Sequence, residues 1–221
     1  MKTNSIQHDQ PNTSRFLDGL NNVHPIIPYF VSVVLFILIS YGSFAQKYDT
    51  LEDARDGRFY LTVKIGDQTW MAENLNYKPK RGSWCYGYEK ANCSKYGRLY
   101  NWDVIYKVCP AGWHASNQTD WQKLVYYLGG PDSAAQHLKL KTTMWRNQNP
   151  RDDNSSGFSA LPAGKMDFNY AYQSFGYYAY FWLANTSGEF GWCTLISCTG
   201  SDVQFTLLHP DCALSVRCVK D

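Results

Sequence analysis

Seven cysteines are the residues of this chain with the widest range of available chemistry. Thiols can form disulfides, bind soft metals or act as nucleophiles. The seven are Cys85, Cys93, Cys109, Cys193, Cys198, Cys212 and Cys218. Because their number is odd, at least one thiol is free or pairs between chains. No Cys-x-x-Cys spacing occurs and the histidines are scattered, so the sequence favours disulfides over a tetrahedral zinc site and predicts neither a metal nor a cofactor.

The positions of four cysteines suggest two disulfides. Cys109 precedes a predicted helix and Cys218 lies in the last predicted strand, which suggests a bridge between the middle of the domain and its end. Cys85 and Cys93 bracket a polar loop, and a bridge between them would stabilise the fold by about 2 to 3 kcal/mol. We expect these bonds to be structural rather than redox-active, since no Cys-x-x-Cys context surrounds them.

Residues 1–45 differ from the rest of the chain. Ile26–Ser40 is an apolar run without a charge, and Ser43 and Ala45 place small residues at the two positions that a signal peptidase reads. We interpret the segment as a cleaved secretory signal peptide. The alternative is an uncleaved anchor that contacts the membrane through residues 26–45. Since every cysteine follows this segment, we expect a protein that is secreted or held in the cell envelope, in an oxidising compartment.

The remaining sequence predicts a short linker, Gln46–Gly57, followed by one domain over residues 58–221. The formal charge of the chain is only +2, without a basic run, which argues against nucleic acid as the main ligand. Aromatic residues make up 16% of the chain, and this fraction favours strands and long loops over a helical bundle.

Local patterns predict a β-hairpin at the start of the domain. Phe59–Ile65 alternates and is rich in β-branched and aromatic residues, Gly66 and Asp67 form a two-residue turn, and Gln68–Met71 returns as the partner strand. Short strands are also predicted over Tyr178–Ala184, Trp192–Ile196, Val203–Leu208 and Leu214–Val219.

One helix is defined by its cap and its apolar face. Asn117 is the expected N-cap, and Asp120 completes a variant of the capping box. The apolar positions on one face are Trp121, Leu124, Val125 and Leu128. Gly129–Pro131 ends this helix, and a second, weaker helix or turn is predicted over Ser133–Leu140.

Five motifs in combination resemble the Fibrobacter succinogenes major paralogous domain family. They are Val63–Leu75, Tyr96–Tyr100, Cys109–His114, Gly157–Gly164 and the Ser-Val-Arg-Cys tail at Ser215–Cys218. The resemblance covers roughly Asp56 to Asp221. It implies export by bacteria of the Bacteroidetes or Fibrobacter kind. It also implies an α+β, C-type-lectin-like fold, with twisted antiparallel sheets, one or two helices, long loops and disulfide bonds. The chain departs from the family pattern at Ala115-Ser116, where members usually have Leu-Pro, and at Trp182–Asn185, where they usually have Trp-Ser-Ser-Thr.

The same resemblance raises two interpretations of Cys193 and Cys198. Formylglycine-generating enzymes, which share the implied fold, carry two active-site cysteines with this four-residue gap, and a thiolate pair could bind copper(I). The other motifs of that enzyme family are missing here. Because Cys212 supplies a third thiol, we favour an ordinary disulfide among the three, with its pairing left open.

An aromatic-rich segment supplies the candidates for ligand binding. Tyr178, Tyr180 and Trp182 share one face of a predicted strand and are expected in the core, whereas the loop 169–176 is expected to be exposed. Tyr and Trp suit both sugar rings and protein surfaces. The candidate binding residues are Tyr170, Tyr172, Phe175, Tyr177 and Trp192.

Metal-dependent sugar binding and acid–base catalysis find little support in the sequence. The Glu-Pro-Asn and Trp-Asn-Asp triplets of calcium-dependent lectins are absent, and Asp152–Asn154 is interpreted as a solvated acidic loop rather than a cation site. His114 belongs to a structural motif. We therefore expect a non-catalytic module that binds a glycan or a protein at or outside the bacterial surface. The alternatives are a copper- or thiol-dependent oxidase and a structural envelope component.

Overall fold

Three antiparallel β-sheets and a few short helices make up residues 47–221, which are the residues described by this computed structural model. The strands are β1 (Tyr48–Asp53), β2 (Arg58–Ile65), β3 (Gln68–Met71), β4 (Ser83–Trp84), β5 (Leu99–Asn101), β6 (Trp113–Ala115), β7 (Lys165–Met166), β8 (Tyr172–Gln173), β9 (Tyr178–Ser187), β10 (Phe190–Ser197), β11 (Val203–Leu208), β12 (Ala213–Leu214) and β13 (Cys218–Lys220). The helices are α1 (Lys90–Tyr96), α2 (Gln118–Tyr127) and α3 (Ala134–Leu138), with 3₁₀ turns at Tyr86–Tyr88 and Trp102–Lys107. The predicted signal or anchor segment lies outside the described residues. None of the helices within residues 47–221 has the length and hydropathy that a membrane-spanning helix requires.

The last strand lies between the first hairpin and the strand that precedes helix α2. The first sheet has the order β1-β2-β3-β13-β6. Within it, Val219 pairs with Trp70 on one side and with His114 on the other. The other sheets have the orders β4-β5-β12-β7-β8 and β11-β10-β9. The end of the chain therefore lies beside its first hairpin, in the same sheet.

The segment expected to be a linker, Gln46–Gly57, instead contains strand β1. It pairs antiparallel with β2, from Tyr48 opposite Val63 to Asp53 opposite Arg58. Its polar composition conceals the strand because β1 lies at the edge of the sheet, where mostly exposed side chains suffice. The linker prediction is wrong for this reason: the hydrogen bonds that order β1 come from β2.

The hairpin of β2 and β3 and the helices α2 and α3 confirm the local predictions. Gly66 adopts a left-handed backbone (φ +62°) in the two-residue turn between β2 and β3. At the start of α2, the side chain of Asn117 accepts from the backbone N–H of Asp120, and the Asp120 carboxylate accepts from that of Asn117. Helix α3 is shorter than the predicted Ser133–Leu140.

Strand β9 is buried on both faces, between two hydrophobic clusters. Tyr180 and Trp182 lie in one cluster with Tyr178 packed against it, as the sequence predicted. Phe181 and Leu183 lie in the other, together with the apolar face of α2. Alternation along one strand therefore joins the two cores.

Two disulfides hold this frame. Cys109 bonds to Cys218, with their Cα atoms 5.9 Å apart, and Cys85 bonds to Cys93. Both predicted pairings are confirmed. The first links the segment before β6 to strand β13, and the second closes the loop that contains the 3₁₀ turn at Tyr86–Tyr88.

Arg217 ties the end of the chain to two other segments. Its guanidinium is fully buried and donates to Asn74 Oδ1 at 2.7 Å and to the carbonyl oxygens of Met71 at 2.8 Å and Phe158 at 2.6 Å. Burial lowers its pKa to about 9, so the group remains charged at neutral pH. The Ser-Val-Arg-Cys tail is therefore a structural motif, because its arginine satisfies buried backbone oxygens.

Candidate functional site

The predicted aromatic loop meets a second aromatic segment that is distant in sequence. The ring centroids of Trp84 and Tyr170 are 6.3 Å apart, those of Tyr88 and Tyr172 are 5.2 Å apart, and those of Tyr86 and Tyr172 are 4.9 Å apart. We call these five residues the aromatic surface. Aromatic rings paired in this geometry stabilise the fold by more than the burial of their surface area alone would.

Phe175 anchors the aromatic surface from below. It is half-buried, with its ring stacked on Tyr86 at 4.5 Å and edge-on to the buried Tyr96 at 4.8 Å. Burial raises the pKa of Tyr172 to about 12, so this phenol is neutral at physiological pH. The inner rings thus support the outer ones, Tyr88 and Tyr170, which are 66% and 60% exposed.

Both outer tyrosines have an uncommon backbone conformation. Tyr88 has φ +61° and Tyr170 has φ +63°, in the left-handed region that bulky side chains rarely adopt. Such a conformation costs on the order of 1 to 3 kcal/mol, and residues that adopt it cluster at functional sites. The fold therefore holds two large rings in solvent at an energetic cost.

Loop 167–176 is positioned by a close backbone approach and by one carboxylate. A Cβ atom built on Gly164 would lie 2.4 Å from the carbonyl oxygen of Gln173, so only glycine fits there. Asp167 accepts from the backbone N–H groups of Asn169 and Ala171, each at 2.9 Å. These contacts fix the direction in which Tyr170 projects.

The opposite segment is held by the Cys85–Cys93 disulfide and by Arg98. Arg98 Nε donates to Ser83 Oγ at 2.9 Å and its Nη2 to the Ser83 carbonyl oxygen at 3.2 Å. Its Nη1 lies 3.3 Å from the sulfur of Cys93. The guanidinium therefore links strand β4 to the disulfide, and partial burial lowers its pKa.

Two predicted binding residues lie apart from these ring contacts. Tyr177 is exposed, and its ring packs beside the guanidinium of Arg146, 5.3 Å from the ring centroid, rather than against the aromatic surface. Trp192, on β10, is half-buried and packs against the main core. Of the five predicted residues, the structure thus brings together Tyr170, Tyr172 and Phe175.

A cleft of about 570 Å³ adjoins the aromatic surface and was not foreseen from the sequence. Trp84 and Tyr88 supply its aromatic lining. Asp56 is the one acidic residue among those that line it. Its lining also includes four cations, Arg58, Lys78, Lys90 and Arg98. These come from the β2 start, the segment after β3, helix α1 and the segment before β5. We call this feature the basic cleft. The sequence does not indicate this cleft, because the net charge of the chain is low and the four cations are scattered in sequence.

The predicted disulfide among Cys193, Cys198 and Cys212 is wrong, since all three are buried free thiols. Cys193 lies within β10 and Cys198 directly follows it. Five residues of extended strand span about 16 Å, whereas bridged Cα atoms lie within about 7 Å. Cys193 and Cys198 are also an odd number of residues apart and lie in different hydrophobic clusters, whereas Cys212 shares the cluster of Cys193 as a separate free thiol. Burial raises the pKa of Cys193 to about 12, so it is a thiol rather than a thiolate.

Asp152, expected in a solvated acidic loop, is instead buried in an ion pair. Its Oδ1 lies 2.9 Å from Nζ of Lys139, and both side chains are fully buried. Lys139 also donates to the carbonyl oxygens of Ser197 at 3.1 Å and Gly200 at 2.6 Å. Burial raises the pKa of Asp152, and Lys139 opposes that shift. The solvated-loop interpretation is wrong for this residue because a lysine 13 positions earlier, which the sequence pattern does not connect to it, neutralises its charge.

His114 lies between two carboxylates at the C-terminal strand. Its Nδ1 is 2.7 Å from Asp221 Oδ1 and its Nε2 is 3.0 Å from Asp120 Oδ2. Burial lowers the pKa of His114, but the two carboxylates outweigh that effect and raise it above its ordinary value. This arrangement connects α2, β6 and the chain end, which agrees with the structural role predicted for the histidine.

The chain belongs to the Fibrobacter succinogenes major domain family, whose model matches residues 63–220. The match runs from β2 to β13 and confirms the resemblance found in the motifs. The family description specifies no activity. No curated protein and no solved structure matches the chain significantly.

Proposed function

We propose that this protein is an exported, non-catalytic binding module that recognises a carbohydrate through the aromatic surface. The observation that supports this most strongly is the pair of exposed tyrosines, Tyr88 and Tyr170, held in left-handed backbone conformations. Flat rings with polar tips suit the faces and hydroxyl groups of sugars. A strained, exposed and well-supported pair of rings is difficult to explain by folding alone.

Export and a C-type-lectin-like architecture form the second part of this proposal. The two disulfides favour an oxidising compartment. The last strand beside the first hairpin, the few helices and the long loops that carry the site agree with that architecture. An experimental structure that superposes on no C-type-lectin-like domain would contradict this assignment.

The thiol-dependent oxidase is the weaker candidate. Its chemistry needs both sulfurs of Cys193 and Cys198 at one centre, and strand β10 separates them. A thiol buried enough to have a raised pKa is also a poor nucleophile and metal ligand. Tight, stoichiometric copper(I) binding that disappears in a Cys193→Ser variant would restore this alternative.

A glycan array probed with the purified protein and three variants tests the proposal. Tyr88→Ala and Tyr170→Ala each remove an outer ring of the aromatic surface. Tyr126→Ala is the matched control, because Tyr126 is an 81% exposed tyrosine on helix α2. Circular dichroism and thermal unfolding would check that each variant folds.

We expect the two site variants to weaken glycan binding by at least about tenfold, equivalent to 1.4 kcal/mol, while the control binds as the unmodified protein does. Absence of glycan binding by the folded, unmodified protein would contradict the proposal and shift support to a protein partner or a structural envelope role. Equal losses in the site variants and the control would show that the ligand binds elsewhere.

A further inference from the structure

The basic cleft contains cations that the protein itself leaves unneutralised. Among residues 47–221, none of the ion pairs involves any of its four cations. Its one acidic lining residue, Asp56, accepts a backbone hydrogen bond from Arg58 at 3.2 Å. The lining side chains therefore carry a net charge of +3, from four cations and one anion.

Arg98 is the most informative of these cations because it is only partly exposed. Its hydrogen-bond acceptors are a hydroxyl, a carbonyl oxygen and disulfide sulfurs, and sulfur is a weak acceptor. Within residues 47–221, its guanidinium meets no carboxylate. A partly buried charge without a counter-charge is unfavourable, and an anion in the cleft would remove that cost.

Aromatic rings and cations line the same cavity. Trp84 and Tyr88 belong to both the aromatic surface and the basic cleft. A ligand whose sugar ring packs on Tyr88 therefore has its substituents within the field of Lys90, two residues further on, and of Arg98. Lys90 and Lys78 are exposed and can follow a ligand along the cleft.

We propose that the basic cleft binds the anionic substituents of an acidic polysaccharide, whose sugar rings pack on Trp84 and Tyr88. This inference rests on the proposed carbohydrate-binding function and names its ligand class. Carboxylate and sulfate groups share the required chemistry, a compact anion that accepts several hydrogen bonds. Cationic side chains bind either group through charge-assisted hydrogen bonds, and Arg98 adds its charge to the cleft while its own donors remain on Ser83 and the disulfide.

Two pairs of polymers separate charge from sugar. Polygalacturonate and its fully methyl-esterified form share one sugar backbone, but a methyl ester replaces each carboxylate charge in the second. Dextran sulfate and dextran differ only in sulfate. Affinities of the purified protein for all four would be measured by isothermal titration calorimetry at 50 mM and 300 mM salt. We expect at least one anionic polymer to bind about tenfold or more tightly than its neutral counterpart, with an advantage that shrinks at the higher salt concentration. The polymer pair that shows the preference identifies carboxylate or sulfate as the anion.

Variants test whether the basic cleft carries this preference. The double variant Lys78→Gln/Lys90→Gln should weaken binding of the preferred anionic polymer by about tenfold and leave the neutral polymer unaffected. Lys123→Gln, which removes an exposed lysine on helix α2, is the matched control and should have no effect.

Three results would overturn the inference. The first is equal affinity for the charged and neutral members of both pairs, and the second is an unchanged preference in the lysine double variant. The third is single-stranded DNA that binds as tightly as the acidic polymer, which would indicate a general anion surface. If Tyr88→Ala still abolishes binding of a neutral glycan, then only this inference fails. If anionic polymers bind regardless of the aromatic rings, then the proposed function fails as well.

Discussion

Removal of each disulfide should destabilise the protein to a different degree, set by the length of chain that each bond closes. The Cys109–Cys218 bond spans 109 residues in sequence and the Cys85–Cys93 bond spans 8. Loop-closure entropy gives about 4.8 kcal/mol for the first and about 2.5 kcal/mol for the second. We therefore expect Cys109→Ala/Cys218→Ala to lose about 2.3 kcal/mol more unfolding free energy than Cys85→Ala/Cys93→Ala.

The comparison is well matched because each bond joins a buried cysteine to a half-buried one, so the packing lost in the two double variants is similar. Urea unfolding followed by tryptophan fluorescence gives both free energies under the same conditions. A difference below about 1 kcal/mol, or a larger loss from the short loop, would refute the reasoning that the long bond acts by constraining the unfolded chain.

Three further predictions concern the frame around the site. Lys139→Met should lower the unfolding free energy by about 3 to 5 kcal/mol, because Asp152 is left buried and unpaired. Adding Asp152→Leu should recover part of this loss in urea titrations. The absence of any recovery would contradict the buried ion pair. Gly164→Ala should destabilise by about 1 to 3 kcal/mol more than Gly188→Ala. Both glycines have positive φ, but a Cβ on Gly188 meets nothing within 4 Å, so equal thermal shifts would disprove the close approach to Gln173. The raised pKa of His114 implies a stabilisation that is fully present below its unfolded pKa of 6.5 and is lost as pH rises through the folded pKa. The urea midpoint of the His114→Gln variant should lack this decline with pH. A decline that persists in the variant would assign it to another group.

Local features of the fold could be predicted from sequence because short-range physics determines them. The turn at Gly66 needs a residue that adopts a left-handed backbone conformation. The side chain of Asn117 accepts a hydrogen bond from a backbone N–H in the first turn of the helix that it caps. The Cys109–Cys218 bond is also predictable, because the sequence indicates both the helix that follows Cys109 and the last strand, which contains Cys218. Strand β1 was missed since nothing within Tyr48–Asp53 indicates that β2 supplies its hydrogen bonds.

The candidate site was only half predictable for a related reason. Tyr170, Tyr172 and Phe175 were identified by residue type within one loop, but their partners on segment 84–88 meet them only after folding. Trp192 was included on residue type alone, and its place on β10 packs it against the core. The basic cleft was invisible because its cations come from four separate segments, and total charge does not record how charges converge.

Chemical-shift mapping by NMR tests the binding site most directly. On addition of a glycan that the array identifies, we expect the indole N–H signal of Trp84 and the backbone signals of residues 83–88 and 169–175 to shift and saturate together. The indole signals of Trp113 and Trp192 should stay unchanged. Saturable shifts centred on Trp113, Trp192 or any other surface, with segment 83–88 unaffected, would contradict carbohydrate recognition by the aromatic surface.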